Sequence, residues 1–97
     1  MIDGMSSPTD LSEVRARIDE LDTQLVGLLA RRQALVEAAA GFKKDEQAVR
    51  APDRVQQVIT RVRAKATAAG LDTDVAEVVW RAMITAFIDL ELRHHRR

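Results

Sequence analysis

Four charged residues sit where an amphipathic helical protein would place apolar ones, and they are the first candidates for chemistry. Arg32 falls four residues after Leu28 and three before Leu35, in a seam where a plain coiled coil would carry another leucine. Lys43 follows 11 residues later. At about 100° per residue it returns to within about 20° of Arg32, so on a continuous helix the two cations share one face. Arg15 stands about 80 to 100° away from both. One helix cannot aim all three at a point, but an antiparallel copy crossing nearby could deliver its Arg15 to the face bearing Arg32 and Lys43. Near the other end, Trp80, Ile84, Phe87 and Glu91 follow steps of four, three and four, so a carboxyl closes an apolar stripe. A carboxyl there loses hydration, which favours its neutral form unless a cation stands close. Either form of that carboxyl is chemically useful.

Each residue also has a plainer reading. Arginine or lysine in a seam extends its head to water or pairs with an acid of a partner helix. Glu91 taken alone is a helix-end residue, and Trp80 and Phe87 are most simply core. His94 and His95 are adjacent, so on a helix their rings diverge. With no cysteine and no further histidine in the chain, they read as a solvated tail and not as a metal site. The lack of cysteine also removes disulfides and thiol nucleophiles, and fits a reducing compartment.

The elements that must position these groups are all helical. After a small, polar lead-in over residues 1–9, Asp10-Leu11-Ser12-Glu13 carries a capping-box pattern, with Thr9 an equally good cap. Leu11, Val14, Ile18, Leu21, Leu25, Leu28, Leu35 and Ala39 then recur at helical spacing without a proline until Pro52. They predict one helix of about 30 to 35 residues, roughly 50 Å long at about 1.5 Å per residue. A lone protomer of this size has a radius of gyration of only about 13 Å, so the rod needs a partner to cover its stripe, and a second copy is the economical one.

Periodicity lapses from Gly41 to Ala51. A second helix is predicted from Pro52, with Val55, Val58, Ile59, Val62, Ala66 and Ala69 on its apolar face and Gly70 as a left-handed stop. Asp72 or Thr73 caps a third, whose stripe is read as Val75, Val79, Ala82, Met83, Ala86 and Leu90. The helical domain spans residues 10–93, and residues 94–97 form a basic tail. The expected fold is all-α, a three-helix protomer with one long N-terminal helix that packs against its copy in a two-fold homodimer.

Composition narrows the partners. Lys plus Arg and Asp plus Glu are 15 each, which leaves no broad electrostatic footprint for nucleic acid. No apolar run approaches the roughly 18 residues of a membrane span, and MIDGMSSPTD has no secretory pattern. A cytoplasmic protein is expected.

Val14-Arg15-Ala16-Arg17-Ile18-Asp19-Glu20-Leu21-Asp22, Leu29-Ala30-Arg31-Arg32, Phe42-Lys43 and Ala51-Pro52-Asp53-Arg54-Val55 together resemble the all-helical chorismate mutase family, including its isochorismate-pyruvate lyase relatives. The resemblance runs from about residue 10 to 92. It implies an intertwined dimer in which each active site takes an arginine from the neighbouring subunit. Carried over by position, Arg15 is that arginine, on one substrate carboxylate, and Arg32 binds the other. Lys43 donates to the ether oxygen and a carboxylate, and Arg54 looks like the second-helix arginine. Glu91 stands where many bacterial members have glutamine, and it donates to the ether oxygen only when protonated. Ala51 stands where some mutases carry an acid, and its spacing from Phe42-Lys43 is closer to the lyases.

The implied activity is that of a chorismate mutase, an isomerase of the shikimate pathway and of aromatic amino acid biosynthesis. It performs the Claisen rearrangement of a dianionic enol ether to prephenate, a pericyclic reaction, with no cofactor and no metal. The alternatives are isochorismate-pyruvate lyase, 4-amino-4-deoxychorismate mutase, and, in another class, a non-catalytic helical dimer that regulates a partner enzyme.

Overall fold

A computed structural model describes residues 7–96. The first part of the expected lead-in and Arg97 lie outside the described residues. The fold is all-α, with no strand among the described residues: α1 (Leu11–Ala40), α2 (Glu46–Arg50), α3 (Pro52–Ala69) and α4 (Thr73–His95). Among the described residues, no helix is long and apolar enough to cross a membrane. The chain divides into two units after Ala34.

The first unit is α1 up to that point. Its start uses both predicted caps. Asp10 Oδ1 accepts the Glu13 backbone N–H at 2.8 Å, while the Glu13 carboxylate reaches back to the Thr9 N–H at 3.1 Å and to the Thr9 hydroxyl at 3.0 Å. These bonds, with Arg17 one turn on, hold the Glu13 carboxyl below its ordinary value. No residue of α1 is buried, and Ile18, Leu21, Leu25 and Leu28 each expose about half their surface. The predicted apolar seam is therefore present and open.

The second unit holds the end of α1, the short α2, and the α3–α4 hairpin. Pro52 opens α3 as predicted, and Gly70 ends it at φ 77°, a conformation that favours glycine. There the Leu71 N–H returns to the Ala66 carbonyl at 2.8 Å. Asp72 then caps α4 by accepting from the Asp74 and Val75 N–H groups. The core is small: Val62, Ala66 and Ala76 are buried together with Val58 and Trp80 against them. Arg63 staples the hairpin from α3 to the first turns of α4, donating to Glu77 at 2.8 Å and to Thr73.

Three expectations are corrected. The α4 stripe that is buried runs through Ala76, Ile84, Glu91 and Leu92, with Trp80 and Phe87 half-buried. Of the expected stripe, Val75, Val79, Ala82 and Ala86 are exposed and Met83 and Leu90 half-buried, because α3 covers the neighbouring, bulkier face. The Gly41–Ala51 stretch is not merely loop, since Asp45 accepts the Ala48 N–H and nucleates α2. Finally, the first part of the expected basic tail is helix: α4 continues to His95, its last turn rich in the cations that a helix C-terminus favours.

Candidate active site

Lys43 lies beyond the end of α1. The helix stops at Ala40, and the Gly41, Phe42 and Lys43 N–H groups tighten onto the carbonyls of Ala38, Ala39 and Ala40. The helical phase that aligned Lys43 with Arg32 in the sequence therefore stops short of it. The turn nevertheless sends the lysine side chain to α4, where Nζ donates to Glu91 Oε2 at 2.9 Å across 48 residues of sequence. Glu91 is only 4% exposed and is the charged residue among the buried ones described. The expected carboxyl at the end of the Trp80–Ile84–Phe87 stripe is there, and so is the cation that keeps a buried carboxylate tolerable.

The arrangement is a half-open polar pair. Lys43 retains 25% of its side-chain surface while Glu91 retains 5%, so the ammonium is the member a ligand would meet. An ammonium has three donors, and Glu91 occupies one. The other two can reach an anionic or ether oxygen without breaking the pair. The neighbouring turn is further tied by His95 Nε2, 3.3 Å from the Lys43 carbonyl, and by Arg96, which grips both oxygens of Glu46 at 2.8 and 2.9 Å. That fork holds the Glu46 carboxyl below its ordinary value and raises the Arg96 guanidinium.

The remaining candidates are described by the helices that carry them. Arg54, in the first turn of α3, is exposed and donates to Gln57 of its own helix at 2.6 Å. Arg15 is exposed on α1, and Arg32 is half-buried there. A shallow hollow on α1, lined by Asp19, Asp22, Thr23 and Val26, carries two carboxylates and so has the wrong sign for an anion. Among the described residues, no three His, Asp or Glu side chains stand close enough to hold a metal ion. Sequence reading missed the roles of His95 and Arg96, which it left in a solvated tail. The spacing of Glu91 and His95, one helical turn apart, was the available signal.

Two comparisons bear on this geometry. Residues 14–92 match the family described as chorismate mutase type II. The isochorismate pyruvate lyase of Pseudomonas aeruginosa is 32% identical over 96 residues, covering 96% of this chain and 95% of that protein.

Proposed function

Because the chain belongs to the chorismate mutase type II family, we propose that it converts chorismate to prephenate. The observation that carries this reading is the Lys43 ammonium, fixed 2.9 Å from a buried carboxyl yet still open to a ligand. The reaction needs no nucleophile. It needs a flexible enol ether held in a chair-like conformer, and two cationic clamps on its two carboxylates achieve that by charge-assisted hydrogen bonds. We assign Arg32 to one carboxylate and Arg15, supplied by a second copy in a homodimer, to the other. We assign Arg54 to the substrate as well, which requires its guanidinium to leave Gln57.

As the carbon–oxygen bond breaks, negative charge grows on the ether oxygen. Lys43 meets that charge with its free donors, more strongly in the transition state than in the ground state. Glu91 contributes as a second donor when it carries a proton; as a carboxylate it only accepts, from Lys43.

A second reading is favoured by the Pseudomonas relative, whose name is that of a lyase. In that reaction isochorismate loses pyruvate in a related pericyclic step and leaves salicylate. The same cations would serve it. Purified protein incubated separately with chorismate, isochorismate and 4-amino-4-deoxychorismate separates the cases. Prephenate from chorismate is the expected product, salicylate with pyruvate from isochorismate would replace the mutase reading by the lyase one, and turnover of none would remove both.

A further inference from the structure

The turn that carries Lys43 is bonded to the end of α1 through its backbone, but its side chains give it little further hold. Phe42 is 89% exposed, and Gly41, Lys44 and Asp45 are exposed as well, so no side chain from these residues anchors it in a core. What reaches it instead is the end of α4. Glu91 and His95, one turn apart on that helix, both contact Lys43: one takes the ammonium, the other meets the backbone carbonyl. A carbonyl can only accept, so His95 Nε2 is the protonated nitrogen in this bond. The next residue, Arg96, closes a two-pronged bond on Glu46 in the first turn of α2. His94 completes the set, with Nε2 3.8 Å from Glu37 near the end of α1. Three consecutive residues thus face the segments before, at and after Lys43.

Most exposed ion pairs contribute little, because two long side chains must be ordered in high dielectric. The Arg96–Glu46 fork differs in having two short, parallel bonds, the geometry in which arginine binds a carboxylate best. It also joins residues 50 apart, so it ties the turn to the helix that bears Glu91.

We propose that His95 and Arg96 are positioning residues, and that the last turn of α4 clasps the Lys43–Glu46 turn so that the ammonium stands against Glu91 before any ligand arrives. The inference rests on the reading of Lys43 as a site residue. Without the clasp the turn samples other conformations, and substrate must select the competent fraction. KM then rises in proportion while kcat, set once the ligand has reordered the turn, holds.

The test uses the full chain. In Arg96→Ala and in Glu46→Ala, amide hydrogen exchange from Lys43 to Val49 in the ligand-free protein is expected to quicken several-fold. KM for the substrate that the wild type turns over is expected to rise about three- to tenfold, with kcat within about twofold. The double variant should be no worse than either single one, because both remove the same bond. Arg96→Lys, which keeps charge but loses the fork, should fall between. Unchanged exchange in Arg96→Ala, or additive losses in the double variant, would overturn the clasp. Quickened exchange in a protein that turns over none of the three substrates would uphold the clasp and remove the proposed reaction instead.

Discussion

At the scale of single residues, the Lys43–Glu91 pair does two jobs that can be separated. Lys43→Ala removes a donor aimed at developing charge, and is expected to lower kcat/KM on the order of a hundred- to thousand-fold. It also strands a buried carboxyl. Because Lys43 keeps a quarter of its surface, the stability cost should stay below the roughly 3–5 kcal/mol of a fully enclosed pair. The Lys43→Ala/Glu91→Gln variant, uncharged at both positions, should regain the thermal midpoint and not the turnover; recovery of turnover would remove Lys43 from the mechanism. Glu91 supplies its own test. If it donates to the ether oxygen, Glu91→Gln, an obligate donor, should retain turnover and Glu91→Ala should lose most of it. Equal turnover in the two variants would rule out that role. This pair was half legible in the sequence: the stripe that places Glu91 is a periodic signal, whereas the turn that swings Lys43 onto it follows the last residue of a helix, where periodicity stops.

At the scale of elements, the caps were plain in the sequence because they are local chemistry: Asp10 with Glu13, Pro52, Gly70 and Asp72 all act where their spacing indicates. The choice between the two apolar stripes of α4 was not legible, since it depends on which face α3 covers. Ile59, on α3, is 1% exposed. Ile59→Ala should cost about 2–5 kcal/mol in chemical denaturation, while Val79→Ala, on an open face, should cost a fraction of that in the protomer. Three carboxylates add to the response to acid. Glu13, Glu46 and Glu77 are all held below their ordinary value of 4.5, chiefly by bonds from Thr9, Arg96 and Arg81 respectively. Their contribution is complete above that value and is lost as pH falls through their lower folded values, so the thermal midpoint should drop on acidification below about pH 4.5. A midpoint flat down to pH 3 would contradict this.

At the scale of the molecule, α1 is the feature that a lone protomer does not explain, for its leucine seam is open along its length. The length and seam of this helix were read directly from the sequence. What covers the seam was not, since a partner leaves no periodic mark distinct from that of a core. If a second copy lies there and lends Arg15, then mixing inactive Arg15→Ala and Arg32→Ala chains assembles hybrids with one intact site. At random pairing, about a quarter of wild-type sites return. No recovery after demonstrated subunit exchange would argue for sites built within one chain.

Ala51 joins two of these helices without any spacer: its N–H closes α2 on Gln47, and its carbonyl opens α3 to Val55. It does so at φ 38°, ψ 63°, unusual for a residue with a side chain. A knuckle made of one peptide unit has no slack to absorb an added residue. Length variation between the lysine turn and the α3–α4 hairpin must therefore be taken up before Glu46, and a single insertion at Ala51 would put α2 out of step with everything downstream.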